Sequence, residues 1–352
     1  MGIKNIKNLI KKYASESITC VHLSNYRLKK IAIDVSLYVF RAKARANSKG
    51  APSQWILDFI YIISSFRKYN IHPVFIYDST APQEKDQTKK ERASRKQSTR
   101  DKVKHLSSLL ENYYRSGEPC DELKQMVDSR DQLLLGDDEK IFDVQTIVDK
   151  VEKLKSQIID VSTEDFILTQ TLLDILNVPY IYASSEAEKT ASFLCKSGVV
   201  DAVLTEDSDV LAYGCNIFLY NIDTVNNTVM EINFDKVLEL MGLSRESFLD
   251  LCILCGSDYN SNLKGIGPEK SYQLIQKYSS IDNIAESLDI TSLNHTKVRS
   301  LFNDFSSEPN LVFKYTGQPD IEALTSFLSE NSLGFNISTV IKSFSYEEVN
   351  FE

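Results

Sequence analysis

Ile31-Ala-Ile-Asp-Val35 and His72-Pro-Val-Phe-Ile-Tyr-Asp78 decide the fold, because each is a short apolar run that ends on an acid. Runs without polar alternation read as strands buried on both faces of a parallel sheet. Asp34 and Asp78 then stand at the C-terminal ends of their strands. Between the two runs, Ser53 to about Tyr69 reads as the crossover helix. The same rhythm returns further on. Asp165 to Leu176 reads as a helix, Val178-Pro-Tyr-Ile-Tyr182 as a strand, Glu186 to Lys196 as a helix and Ala202-Val-Leu-Thr205 as a strand running into Glu206-Asp-Ser-Asp209. Ile217-Phe-Leu-Tyr220 and Thr228-Val-Met-Glu-Ile232 read as a hairpin around Asn226-Asn227. Upstream, Ile3, Ile6, Leu9 and Ile10 mark a short amphipathic helix ending at Tyr13. Strands alternating with helices predict an α/β fold, a parallel-sheet core flanked by helices with right-handed crossovers. In such sheets the ligand crevice lies outside the C-terminal strand ends. Asp34, Asp78 and the 206–209 acids all fall at that edge.

Residues 80 to about 160 break the rhythm: they are polar, charged and helix-prone. After the hairpin the chain turns helical to its end. Four regions are therefore expected: 1–79 and 164–259 building the sheet, 80–163 as a helical insertion, and 260–352 as a C-terminal helical region. A chain of 352 residues suits one large α/β domain or two units. No apolar run reaches the ~18–20 residues of a membrane helix, and Met1-Gly-Ile-Lys-Asn-Ile6 lacks a signal peptide's apolar stretch. Six scattered cysteines without a secretory signal suggest reduced thiols inside a cell. Cys252 and Cys255 read as two buried cysteines on a helix, since a structural zinc site needs two further ligands and none lies nearby.

The net charge of −9 argues against a nucleic-acid partner when taken as an average. The average hides residues 85–104, where nine lysines and arginines face three acids. Within that segment Lys85, Lys89 and Arg92 share one helix face. Such a stripe grips phosphates or simply faces solvent.

Seven acids stand out: Asp34, Asp78, Glu186, Glu188, Asp207, Asp209 and Asp258. Each has an ordinary explanation. Ser185-Glu-Ala-Glu188 matches a capping box, Asp207 or Ser208 suits a helix cap, and an Asp at a strand end often opens a turn. Together they gather like charge at one sheet edge, which makes physical sense when hard cations neutralise it. Magnesium, or manganese in its place, prefers such oxygen ligands. Two such ions about 3.5–4 Å apart suit phosphodiester hydrolysis. H-E-x-x-H, G-x-S-x-G and a G-x-G-x-x-G after a strand are all absent, which removes zinc proteases, serine hydrolases and dinucleotide enzymes. Gly265-Ile-Gly-Pro268 joins two expected helices, with Lys264 and Lys270 beside it. Its glycines let backbone N–H groups approach a phosphate, and Pro268 suits a first helical turn.

Read in order, several segments resemble the motifs of the flap endonuclease family of structure-specific 5′ nucleases. They are Met1-Gly-Ile-Lys-Asn-Ile6, Ile31-Ala-Ile-Asp-Val-Ser36, Val74-Phe-Ile-Tyr-Asp78, Ser185-Glu-Ala-Glu188, Thr205-Glu-Asp-Ser-Asp209, Asp250-Leu-Cys-Ile-Leu-Cys-Gly-Ser-Asp-Tyr259 and Lys264-Gly-Ile-Gly-Pro268. The resemblance runs from Met1 to about Tyr278 with a break in the middle. It implies flap endonuclease and 5′–3′ exonuclease action on DNA in replication, repair or recombination, with two magnesium ions. Asp78, Glu186 and Glu188 would chiefly hold one ion, Asp207, Asp209 and Asp258 the other, and Asp34 would support both. Lys85 and Arg92 match the basic pair that contacts the scissile phosphate. Gly2 matches the family's N-terminal glycine near the active site, and Phe40 stands for a base-stacking tyrosine, while Lys89 is a DNA-contact candidate by its place in the stripe. Residues 80–163 correspond to the helical arch and cap through which a 5′ strand threads. Gly265 and Gly267 match a helix–two-turn–helix element that holds duplex DNA, often with a potassium ion.

The departures are specific. Ser79 replaces the usual Gly, Phe40 lacks the hydroxyl, the cap is long, and the segment from Asp34 to Ser53 is short and poor in the family's apolar wedge. The end, Tyr346-Glu-Glu-Val-Asn-Phe-Glu352, has no sliding-clamp box and no basic tail. This lean form resembles versions carried by large DNA viruses. The expected partner is branched DNA with a 5′ single-stranded flap, bound by a monomer away from membranes. The expected location is the nucleus or, alternatively, a cytoplasmic viral replication site. A mainly exonucleolytic or bubble- and junction-cutting enzyme is the nearest rival, and a non-catalytic DNA-binding scaffold the more distant one.

Overall fold

The computed structural model describes residues 2–79, 85–127, 144–285, 288–308 and 311–345. Met1, part of the expected cap and the C-terminal residues 346–352 lie outside them, and with them the expectation about the clamp box.

The first part of the chain contains α1 (Ile6–Tyr13), β1 (Ile18–His22), β2 (Lys30–Asp34), α2 (Val35–Ser48), α3 (Leu57–Lys68) and β3 (His72–Tyr77). Three helices follow: α4 (Asp86–Ser116), α5 (Asp121–Val127) and α6 (Val144–Ser156). Then come α7 (Thr163–Ile175), β4 (Tyr180–Tyr182), α8 (Ala187–Lys196), β5 (Ala202–Leu204), α9 (Asp209–Ala212), β6 (Ile217–Asp223) and β7 (Thr228–Asn233). The remainder is helical: α10 (Phe234–Met241), α11 (Arg245–Cys255), α12 (Pro268–Tyr278), α13 (Ile281–Ile284), α14 (His295–Asn303), α15 (Ile321–Glu330) and α16 (Ser338–Ser343).

One sheet of seven strands runs in the order β1-β7-β6-β5-β2-β3-β4. From β6 to β4 it is parallel, as the apolar runs predict. It is nevertheless mixed, because β7 turns back antiparallel on β6 and β1 adds antiparallel to β7. The hairpin reading is right, with Asn227 in the left-handed conformation its turn needs (φ 54°). β1 escapes the sequence reading because an edge strand is buried on neither face continuously: Thr19, Cys20 and His22 are all exposed.

Alternation along the central strands supplies two cores. Ala32, Val74 and Ile76 face a core built with α1, α8 and the helices from α10 to α14. Ile31, Ile33, Phe75 and Tyr77 face the other, built with α2, α3, α7, α15 and α16. Cys252 and Cys255 are buried on α11, as expected. The segment after Asp34 forms the four-turn α2, whose Val35, Leu37, Tyr38, Val39, Ala42 and Ala46 are buried. Its β-branched start and interspersed Arg41, Lys43 and Arg45 mask the helical period. The inserted helices carry a small core of their own, with Leu106 and Leu110 of α4 against Leu123, Ile147 and Val151. Lys96 and Arg100 of α4 pair with Asp160, fastening α4 to the segment that leads into α7. No helix among the described residues is long and apolar enough to cross a membrane.

Candidate metal centre and nucleic-acid cleft

Parallel register places the ends of β2, β3 and β5 side by side, so their acids meet at one edge. Each is oriented by a local tether. Asp34 caps α2, its Oδ1 accepting from the Leu37 N–H at 3.2 Å, while its Oδ2 accepts from the Thr205 hydroxyl at 3.3 Å. The same Thr205 oxygen accepts from the Asp207 N–H at 3.1 Å, and Asp207 Oδ1 accepts from the Asp209 N–H at 3.0 Å. Asp78 Oδ1 accepts from the Ala187 N–H at 2.8 Å and so caps α8 from across the sheet edge. That contact corrects the capping-box reading of 185–188: the N-cap of α8 is Glu186, whose side chain makes no cap bond and turns to the cleft instead. Ser208 likewise does not cap α9; its hydroxyl donates to the Ile3 carbonyl.

Glu186 Oε2 accepts from the Tyr259 hydroxyl at 2.5 Å, and Tyr259 in turn meets the Tyr213 hydroxyl at 2.8 Å. These two tyrosines were missed by sequence reasoning. Tyr259 directly follows Asp258 and so carried a positional signal, whereas Tyr213 carried none. Glu206, directly before Asp207, pairs with Arg41 of α2, and its carbonyl accepts from Lys7 at 2.9 Å. These contacts hold the 205–209 loop from both flanks.

The N-terminus closes one side. Ser208 holds the Ile3 carbonyl, and the Lys4 N–H donates to the Gly256 carbonyl at 3.0 Å. Gly2, at φ 78°, lies so close that an added Cβ would stand 2.0 Å from Asp207 Oδ1 and 2.7 Å from the Asp209 nitrogen. It therefore belongs to the acid cluster itself.

The basic stripe lands where its spacing suggests. Lys85, at the start of α4, is buried, with its ammonium 2.8 Å from Glu186, 3.6 Å from Asp209 and 3.8 Å from Asp258. Arg92 donates to both Asp258 oxygens, at 3.0 and 2.8 Å. A cleft of about 800 Å³ lies beside these contacts, lined by the acids and by the face of α4 from Lys85 to Thr99. Lys89, Arg92, Arg95 and Lys96 line its basic side, and Phe40, Val161 and Phe166 an apolar side. Phe40 is 46% exposed, an open ring beside Asp34 and Ser36.

Lys264, Gly265 and Gly267 lie in the loop that runs from α11 past Asp258 to α12, and Lys270 in the first turn of α12. Pro268 opens α12 with Gly267 as its N-cap. Both glycines face open space, and Gly265 needs its left-handed φ of 78°. Lys270 donates to the Gly265 carbonyl at 3.3 Å.

Burial raises the pKa of Asp34 to about 8, with Asp78 and Asp207 adding repulsion. Burial also lifts Glu188, with Asp34 and Asp207 contributing, and lifts Asp209, with Asp207 contributing. For Lys85 burial acts downward, but Asp209, Glu188 and Glu186 outweigh it and hold the ammonium protonated. Both Asp209 carboxylate oxygens are buried without a hydrogen-bond partner. Buried anions in that condition call for a cation. An all-oxygen donor set fits a hard divalent ion. Among the described residues no three ligand side chains already close around one ion position, and the Lys85 ammonium stands between them.

Two family profiles match the chain, the XPG N-terminal domain over residues 1–99 and the XPG I-region over residues 177–258. A probable RAD2-like endonuclease, 369L, of Invertebrate iridescent virus 6 is 32% identical over 335 residues, covering 87% of this chain and 80% of its own length. Flap endonuclease 1 of Enterocytozoon bieneusi is 30% identical over 350 residues, covering 96% and 84%. The catalytic core of Rad2 in complex with DNA substrate superimposes with a TM-score of 0.68 at 21% identity, over 97% of this chain and 98% of that one. Flap endonuclease-1 from Methanococcus jannaschii gives 0.60 at 21% identity, over 93% and 95%. At such identities the structural likeness is one of fold.

Two outcomes are expected. Gly2→Ala displaces Asp207 and Asp209, so manganese affinity measured by calorimetry falls about tenfold while the circular-dichroism spectrum is kept. The second concerns pH. Unfolded carboxyls titrate near pH ~4, so above that the folded protein binds more protons than the unfolded one. The stability from these protons is complete below about pH 4 and is lost as pH rises through the folded pKa values. In EDTA the melting temperature should fall from pH 5.5 to pH 8, and saturating magnesium should raise it more at pH 8 than at pH 5.5. A cation-induced rise that is equal or larger at the lower pH contradicts this reading.

Proposed function

Since this chain belongs to the flap endonuclease family, whose XPG N-terminal and I-region domains it carries, we propose that it hydrolyses DNA next to a 5′ flap using magnesium at the acid cluster. The observation that carries this reading is the meeting of acids from three parallel strand ends with Lys85 and Arg92 in one cleft. A nuclease must neutralise a phosphodiester and place a water in line with its leaving oxygen. Divalent cations held by Asp78, Glu186 and Glu188 on one side and by Asp207, Asp209 and Asp258 on the other would supply charge neutralisation and an acidified water.

The chain's own groups provide the remainder. Lys85 and Arg92 would hold the non-bridging oxygens of the scissile phosphate, where negative charge grows during reaction, once cations take over the acids they now pair with. Lys89, Arg95 and Lys96 line the path of the unpaired strand as an electrostatic track. The exposed Phe40 ring offers a stacking surface for a base leaving the duplex. Asp34 and Thr205 hold the 205–209 loop, so that Asp207 and Asp209 keep their orientation. The backbone N–H groups of Gly265 and Gly267, beside the start of α12, suit duplex phosphates, and we propose potassium as the counter-ion there. We propose a monomer acting on one branched duplex at a time.

Asp207→Asn tests this. With an end-labelled 5′-flap duplex and magnesium, the native chain should release the flap by a cut near the junction. The variant should be slower by roughly a thousandfold while still binding the flap. Binding should weaken steeply with salt. Stepwise mononucleotide release, or preference for a bubble, would keep the cation site and transfer the activity to the rival substrates. Flap binding by both proteins with no cleavage by either would leave only a scaffold.

A further inference from the structure

We propose that Lys85 is an intramolecular occupant of the divalent-cation site: its ammonium holds Glu186, Asp209 and Asp258 together until a divalent cation displaces it and releases the start of α4. The inference rests on the proposed cation site, and it adds an order of events to it.

Lys85 is about 7% exposed, unusual for a lysine, and it spends that burial on three carboxylates at 2.8, 3.6 and 3.8 Å. Its ammonium also lies over the Tyr259 ring, 4.9 Å from the centroid. The docking extends along one face of α4. The Thr88 hydroxyl donates to the Asp258 carbonyl at 3.0 Å, and Arg92 grips the Asp258 carboxylate. The first two turns of α4 are thus fastened to the same acids that a divalent ion requires.

Both charges cannot use these oxygens together. A divalent ion bound by Asp209 and Asp258, or one bound by Glu186, would stand within a few ångströms of the ammonium, and like charges that close repel strongly where water is scarce. When Lys85 leaves, Tyr259 still holds Glu186 and the 205–209 tethers still hold Asp207 and Asp209. The acids therefore keep their places for the incoming ion. A displaced Lys85 is then free to meet a phosphate, which it cannot do while buried among carboxylates. The cation would arrive first and the strand second, so that the cation-free protein keeps its arch helix shut against the acids.

The test measures manganese affinity of the full chain by calorimetry for three proteins: wild type, Lys85→Met and Lys102→Met. Lys102 is an exposed residue of α4, so its variant controls for the change in net charge. Lys85→Met should bind manganese tighter by about tenfold or more, and Lys102→Met should match wild type. In wild-type protein, amide exchange at residues 86–92 should accelerate when manganese binds. Equal or weaker binding by Lys85→Met would overturn the proposal, because a lysine that merely organised the acids would be missed on removal. Unchanged exchange at 86–92 would overturn it as well, and that measurement decides alone should Lys85→Met fail to fold. Failure of the wild type to take up manganese at all would instead sink the cation site beneath the proposal, and the proposal with it.

Discussion

Mutual repulsion among carboxylates at the end of a parallel sheet is the constraint on which the rest of this molecule depends. Parallel strands all deliver their C-terminal ends to one edge. Here β2 ends on Asp34, β3 is followed by Asp78, and β5 runs into Asp207 and Asp209. Glu186, Glu188 and Asp258 join them from the starts and ends of flanking helices. Burial makes each ionised oxygen harder to tolerate, and nearby acids compound the effect, as the raised pKa values of Asp34, Glu188 and Asp209 record. A fold that keeps such a group must tether every member and supply positive charge from elsewhere.

The tethers are mostly backbone. N–H groups of Leu37, Ala187 and Asp209 each fix one oxygen of a neighbouring acid, leaving other oxygens for a ligand. Helix starts thereby serve twice, capping α2 and α8 while aiming the caps' carboxylates. Positive charge comes from α4, whose Lys85 and Arg92 reach across the cleft. The small core of Leu106, Leu110, Leu123, Ile147 and Val151 lets this long polar helix stand away from the sheet and still be held. Distance from the sheet is what opens the cleft, and the basic face of α4 is what makes the cleft suitable for a strand of phosphates.

Much of this was legible in the sequence. Two apolar runs ending on acids, separated by a helical stretch, suffice to predict the parallel centre and its acidic edge. The seven-residue spacing of Lys85 and Arg92 placed both on one face, and both meet the acids. Other features leave no local signature. β1 pairs only at the sheet's edge, so its pattern is not apolar. α2 shows no clear helical period because Arg41, Lys43 and Arg45 interrupt its apolar positions. The Asp78 cap on α8 joins residues far apart in the chain, which no local pattern reveals, and it displaced the capping box that the sequence suggested. Tyr213 and Tyr259 support Glu186 through a contact that exists only once α9 and the loop after α11 have packed together.

The most direct measurement is the anomalous-difference map of crystals of the wild-type chain grown with manganese. Two peaks are expected about 3.5–4 Å apart, one bounded by Asp78, Glu186 and Glu188 and the other by Asp207, Asp209 and Asp258. A map without manganese among these acids, or with manganese held only by other residues, would contradict the assignment of this sheet edge as the centre of the molecule's chemistry.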